Sequence, residues 1–369
     1  MERGQGALEN VGVNSFSESF KGRRIVVTGH TGFKGSWLCQ WLLMLGAEVK
    51  GYALAPDKTP NHFALLELPM ESELGDIRDP QQLTHAIQSF KPEFIFHLAA
   101  QPLVNRSYDN PAETFSTNVM GLVNVLDTAL ACDSVVSVLN VTSDKCYANR
   151  HTIEGYRESD AMGGHDPYSA SKGCAELITA SYRRAFFEKA GKLLSSARAG
   201  NVVGGGDWSD NRLVPDVIRA IESKARVRIR RPDATRPWQH VLEPLRGYLL
   251  LAGRMLANDR SVCEGWNFGT TQVEGCSVRE VLACMARHWP AFEVEFTPDE
   301  ANFHEAELLQ LNSEKAAQRL HWHPLLATST AFEMTMDWYR DFYTRKIVST
   351  ERQIAAYAEM MTKPDSTPC

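Results

Sequence analysis

What is scarce in this sequence narrows its function first. Its eight cysteines, Cys39, Cys132, Cys146, Cys174, Cys263, Cys276, Cys284 and Cys369, are scattered and contain no C-x-x-C. That spacing excludes a zinc ribbon and a disulfide framework. It fits free thiols in a reducing compartment, so no metal is expected and the expected location is cytoplasmic. No apolar run approaches the ~18–20 residues that cross a bilayer, so no membrane partner is expected. Residues 1–20 lack the apolar segment of a secretory signal and are expected to form a flexible extension. Basic residues do not dominate: 39 Lys and Arg face 45 Asp and Glu, for a net charge of −6. That balance argues against a nucleic-acid partner while allowing a local basic pocket for an anionic ligand. No internal repeat or low-complexity linker interrupts the 369 residues, and 43% apolar with 23% charged is ordinary globular usage.

What is present is a regular alternation. A short apolar run, Arg24-Ile25-Val26-Val27, ends in the glycine turn TGHTGFKG, after which Trp37, Leu38, Trp41, Leu42 and Leu45 recur at helical spacing. A second strand is expected over 48–54. Leu83, Ile87 and Phe90 mark the next helix, and residues 94–100 form a nearly continuous apolar strand of the kind buried on both faces. Val119, Leu122, Val123 and Leu126 mark another helix, 135–141 a strand, 168–187 a helix and 193–198 a further strand. Residues 21–200 therefore predict a doubly wound α/β domain on a parallel sheet, a Rossmann fold. Beyond Gly200 the rhythm weakens. Residues 201–239 and 263–346 are expected to form a smaller α/β substrate-binding subdomain. A helix over Leu242–Leu256 is expected to return to the first domain, and 347–369 to form a polar helical tail.

Three constellations carry chemistry. The turn Gly29-x-x-Gly32-x-x-Gly35 joins a strand to a helix, where missing side chains and the helix N-terminus favour a pyrophosphate. The acidic residue usual at the end of the second strand is missing, since that strand ends Tyr52-Ala53-Leu54-Ala55-Pro56. Asp76-Ile77 is either an adenine contact or an ordinary helix cap. The second constellation fills residues 141–172: Thr142-Ser143-Asp144-Lys145 closes a strand, and Tyr168 and Lys172 stand one helical turn apart. The lysine ammonium is expected to lower the tyrosine pKa and make the pair a general base. The third is a run of cations, Arg226, Arg228, Arg230, Arg231 and Arg236, in which alternation puts Arg228 and Arg230 on one strand face. A solvated edge strand explains Arg226 and Arg228 as well as an anion site does.

TGHTGFKG, LAAQ, Tyr168-x-x-x-Lys172 and Asn201 together resemble the extended short-chain dehydrogenase/reductase family. GYRESDAMGGHDPYSASKGCAEL, RAGNVVGGGDW and RPWQHVLEPLRGYLLLA look like its nucleotide-sugar 4,6-dehydratase branch that acts on CDP-glucose. The resemblance covers about residues 22–339. It implies NAD as cofactor, a nucleotide-sugar substrate, a role in surface polysaccharide synthesis and pairing of subunits through the helices of Thr114 and Ala175. The implied cofactor contacts are Gly29, Thr31, Gly32, Phe33, Lys34, Gly35, Asp76, Ile77, Leu98, Ala99, Ala100 and Thr142, with Tyr168 and Lys172. Ser143 is implied at the sugar O4, Tyr168 as base at C4, and Asp144 as acid at O6, with burial keeping its proton on. Related dehydratases carry a glutamate where this chain has Lys145, which acts either as the C5 base or as a fixed cation. Gln101, Asn201, Arg212 and Arg236 are implied on the substrate side. A 4-epimerase shares the fold and the Tyr–Lys pair but lacks the Asp after Ser143, and a silent NAD sensor has no need of Tyr168, Lys172 and Asp144 together.

Overall fold

A computed structural model describes residues 18–150, 154–270, 276–290, 292–297 and 309–362. In chain order the first part runs β1 (Arg24–Thr28), α1 (Phe33–Met44), β2 (Glu48–Ala53), α2 (His62–Leu66), β3 (Glu71–Leu74), α3 (Pro80–Phe90) and β4 (Phe94–His97). It continues with α4 (Val104–Asp109), α5 (Pro111–Phe115), α6 (Gly121–Ala131), β5 (Ser137–Val141), α7 (Pro167–Tyr182) and β6 (Leu193–Ala199). A π-helical turn, Ser116–Met120, links α5 to α6, and a second, Arg183–Phe187, extends α7.

The second part begins with β7 (Val202–Val203), α8 (Leu213–Ser223), β8 (Arg226–Ile229), β9 (Thr235–Arg236), β10 (Gln239–His240), α9 (Leu242–Leu256) and β11 (Gly265–Phe268). It ends with β12 (Cys276–Ser277), α10 (Val278–His288), β13 (Glu293–Phe296), α11 (Glu314–Leu320), α12 (Thr328–Arg345) and α13 (Thr350–Met360).

The main sheet has seven strands in the order β3-β2-β1-β4-β5-β6-β11, all parallel. It is the doubly wound order expected, with an added edge strand. Parallel strands covered on both faces are rich in apolar residues, and Phe94, Ile95, Phe96, Val138 and Leu139 are fully buried. One face is covered by α3, α6 and α7 through Leu83, Ile87, Leu126 and Ala175. The other is covered by α1 and α9 through Trp37, Leu38, Leu245 and Leu249. Helix starts follow local chemistry: Asp79 and Asp166 cap α3 and α7, each followed by Pro, and Ser277 with Glu280 forms a capping box on α10.

Three expectations change. Residues 1–17 of the expected flexible extension lie outside the described residues, but Phe20 is fully buried in the core. Gly265–Phe268, expected in the second lobe, is the seventh strand, because its apolar Trp266 and Phe268 are needed to cover the edge of β6. The C-terminal segment is helical but does not hang free. In α13 Ile354 and Tyr357 are buried, and Tyr357 packs edge-on to Trp41 of α1, ring centroids 5.8 Å apart. Among the described residues no helix is long and apolar enough to cross a membrane.

The arginine run divides. On β8 the outward Arg226 and Arg228 face Glu293 and Glu295 of β13, at 3.0 and 3.5 Å, and are largely exposed. Ion pairs so exposed contribute little, so Arg228→Ala should change stability by at most about 1 kcal/mol. Trp338 of α12 is fully buried and donates to the Thr350 hydroxyl at 2.9 Å. Trp338→Ala should cost about 3–5 kcal/mol. Urea denaturation of the two variants checks this, and similar losses in both would contradict it.

Candidate active site

Parallel pairing brings the C-terminal ends of all seven strands to one edge, and the predicted site residues hang from the loops there. The first is the turn after β1. Gly29 has φ 78°, and a Cβ on it would lie 2.7 Å from the Ala99 nitrogen; a Cβ on Gly35 would lie 2.1 Å from the Gly29 oxygen. Only glycine permits this approach of the turn to the end of β4. Gly32 is exposed and caps α1 with no side-chain hydrogen bond, unlike the capped α3 and α7. The first amides of α1 are thus left for an anion. These are the features that a dinucleotide pyrophosphate requires, and the residues present fit one.

Around the turn, Thr31 donates to the Leu54 oxygen at 3.0 Å, and Phe33 is half-buried. Leu98 and Ala99 are tied to Thr28 through their amides at 3.1 and 3.3 Å, with Ala100 following, half-buried. The Asp76 carboxylate is held by Arg78, 2.6 Å away, which keeps it below the usual carboxylate range. Ile77 is buried, at the place where a Cβ on Gly121 would meet it 2.5 Å away.

The second group lies at the end of β5. The Ser143 hydroxyl donates to Asp144 Oδ1 at 2.8 Å and receives the Lys145 amide at 3.3 Å, in a turn that folds Asp144–Cys146 into one 3-10 coil. Asp144 is buried, and Gly200 backs it: any Cβ there would lie 2.7 Å from Asp144 Oδ2. Lys145 is half-buried.

Tyr168 and Lys172 stand on the buried face of α7, with Lys172 Nζ 6.0 Å from the Tyr168 ring centroid. Ser143 lies close enough to Tyr168 to act on its hydroxyl. The expected lowering of the tyrosine pKa by Lys172 does not occur. Burial pushes Tyr168 up to about 12, with Ser143 acting against it, and burial pushes Lys172 down to about 8. Both groups are desolvated, and desolvation is the largest influence on each.

Lys34 joins this cluster from the glycine turn. Burial first, then the nearby Arg212 and Lys172, push it down to about 8, while Asp144 acts in the opposite sense. Arg212 is anchored by Asp207 at 2.9 Å. Lys34, Ser143, Asp144, Tyr168, Lys172 and Arg212 therefore share one centre. Asn201 is half-buried next to Gly200, its oxygen accepting from the Gln239 amide at 3.1 Å. Arg236 lies on β9, paired with Cys276 of β12, and donates to the Thr235 oxygen at 2.9 Å.

Two of the expected contact residues also hold neighbouring chain. The Gln101 side-chain oxygen accepts from the Leu103 backbone N–H at 2.7 Å and its NH2 donates to the Thr114 hydroxyl at 2.9 Å, bracing the chain as it leaves β4. The Thr142 hydroxyl donates to Glu176. Sequence reasoning missed that carboxylate. Glu176 accepts Ser196 at 2.7 Å and forms a buried ion pair with Arg198 at 2.8 Å. The signal was there: an acid four residues after Lys172, and a lone arginine at the end of the apolar strand LLSSARA.

The chain is 45% identical to the CDP-glucose 4,6-dehydratase of Salmonella typhimurium over 353 residues, 93% of this chain and 98% of that one. Among solved structures it resembles an epimerase from Methanothermobacter thermautotrophicus, with a TM-score of 0.80, 22% identity and coverage of 93% and 98%. It also resembles the dTDP-glucose 4,6-dehydratase of Streptomyces venezuelae with NAD bound, with a TM-score of 0.73, 24% identity and coverage of 86% and 97%. The model of the GDP-mannose 4,6 dehydratase family matches residues 26–335. With that match spanning most of its length, this chain belongs to the GDP-mannose 4,6 dehydratase family.

Proposed function

We propose that this protein is an NAD-dependent CDP-glucose 4,6-dehydratase, a hydro-lyase forming CDP-4-dehydro-6-deoxy-glucose. The observation that carries the reading is the gathering of Ser143, Asp144 and Tyr168 at the end of β5, with the Ser143 hydroxyl donating to Asp144 Oδ1 at 2.8 Å. When bound, NAD supplies a reversible hydride store, so that C4 is oxidised and C6 later reduced with no net redox change. The glycine turn and the open amides of α1 seat its pyrophosphate. Tyr168 takes the C4 hydroxyl proton, relayed by Ser143. A ketone at C4 acidifies C5–H, whose proton passes to water while Lys145 places a cation where the enolate charge then develops. Asp144 gives its proton to the departing C6 oxygen, which leaves as water. Arg212 and Arg236 grip the diphosphate, for which guanidinium geometry is suited.

The reading places the reaction in the cytoplasm, in synthesis of surface polysaccharide, and the free thiols among the described cysteines accord with a reducing compartment. We also infer a homodimer. On α5, α7 and their π-helical turns, Phe115, Met120, Leu177 and Phe186 are 37%, 53%, 61% and 49% exposed, an apolar surface suited to a second copy.

Incubation with CDP-, dTDP-, UDP- and GDP-sugars, following the 4-keto product by its absorbance in alkali, should give turnover with CDP-glucose above the others. Preference for another nucleotide would overturn the substrate. Asp144→Asn should still oxidise C4 but stall before water leaves, so that reduced cofactor accumulates; product formed at the normal rate contradicts the acid assignment. Tyr168→Phe should slow the oxidation itself about 100-fold or more. Leu177→Glu should shift the protein to monomer in sedimentation velocity, and an unchanged dimer would move the interface elsewhere.

A further inference from the structure

One turn beyond Lys172, and two beyond Tyr168, the buried face of α7 carries Glu176, whose side chain is 4% exposed. A buried carboxylate is costly unless it is paired and hydrogen-bonded. Here it is held from three sides. Thr142 reaches it from the end of β5, next to Ser143; Ser196 and Arg198 reach it from β6, at 2.7 and 2.8 Å. Burial alone would raise its pKa, but Arg198 and the two hydroxyls hold it below the usual carboxylate range. Arg198 in turn donates to the Tyr147 hydroxyl, and Tyr147 donates to Asn267 of β11 at 2.8 Å. Tyr147 follows the Ser143-Asp144-Lys145 coil by two residues. The same bonds therefore fasten the chain on both sides of that coil, and fasten α7 to it.

The groups facing Lys172 make Glu176 decisive. Tyr168 lies on the same helix, Cys146 on the coil after Asp144, His97 at the end of β4 and Lys34 at the start of α1. Burial pushes the Cys146 thiol up and the His97 imidazole down to about 3, so both are neutral near pH 7. Lys34 is a like charge. Against the burial that drives Lys172 toward its neutral form, Glu176, one turn on along α7, is the leading opposing charge, while Asp144 and Arg212 of the same centre act on the neighbouring Lys34.

We propose that Glu176 is a positioning residue that keeps Lys172 cationic beside Tyr168 and locks the helix of that pair to the strand end carrying Ser143 and Asp144. The proposal rests on the reading of Tyr168 and Lys172 as the base. The ammonium is lost as pH rises through its pKa, and without Glu176 that pKa falls. The alkaline limb of the reaction therefore moves to lower pH.

The test compares wild type, Glu176→Gln and Lys172→Met in single-turnover oxidation of CDP-glucose across pH, with NAD affinity followed in parallel by tryptophan fluorescence. In wild type the alkaline limb should lie near pH 8, where Lys172 titrates. In Glu176→Gln it should move down by about one pH unit in both measurements, a roughly tenfold loss above both midpoints that is recovered at lower pH. A carboxylate that served packing alone would lower the rate equally at every pH. If Glu176→Gln does not fold with Arg198 left unpaired, the pair variant Glu176→Gln/Arg198→Met removes both buried charges, and its limb should also lie below the wild type's, by a smaller step because the opposing Arg198 charge leaves too. A limb that stays at its wild-type pH in either measurement overturns the proposal. Lys172→Met separates the two levels. A limb that persists without Lys172 sinks the base reading itself. One that vanishes there yet stays fixed in Glu176→Gln sinks only the role of Glu176.

Discussion

The turn between β1 and α1 can sit against the end of β4 only because two positions carry no side chain, and the geometry of the centre follows from that approach. A Cβ on Gly29 or Gly35 would overlap backbone atoms, so the turn would lift and take the start of α1 with it. Lys34, on the first turn of α1, would then lose its place among Asp144, Arg212 and Lys172. Parallel pairing does the rest, aligning the ends of β1, β4, β5 and β6 along one edge, so that groups far apart in sequence meet there.

The centre is crowded with ionisable groups held out of water. Burial drives Tyr168 and both lysines toward their neutral forms, while Glu176 with Arg198, and Asp207 with Arg212, stay charged as pairs. Such pairs contribute little net stability, since desolvation offsets most of their attraction. They serve better as fixed reference charges around Ser143, Asp144 and Tyr168.

Much of this was legible in the chain. Strands buried on both faces announce themselves as apolar runs, which is why β4 and β5 could be drawn from sequence, and the glycine spacing located the turn. The Tyr168–Lys172 pair was visible as a helical period. What escaped depended on tertiary partners. Gly265–Phe268 is too short to reveal which sheet it joins, and only the open edge of β6 decides that. Nothing local in the sequence shows that Gln101 bonds to Thr114 or Thr142 to Glu176. Arg226 and Arg228 formed a cationic run whose partners, Glu293 and Glu295, lie more than sixty residues downstream. The direction of the Tyr168 pKa also went astray, because spacing reports proximity and says nothing of burial.

The docking of α13 has a consequence for the order in which the molecule is completed. His62 spans from the Ser36 hydroxyl on α1 to the Thr350 hydroxyl at the start of α13, at 2.7 Å on each side, and Tyr357 covers Trp41. The helix that follows the glycine turn therefore rests on residues made some 300 positions later. As the chain leaves the ribosome, its nucleotide half emerges with an apolar flank still bare, and that flank closes only when the far end arrives. The protein's first functional element is among the last to be finished.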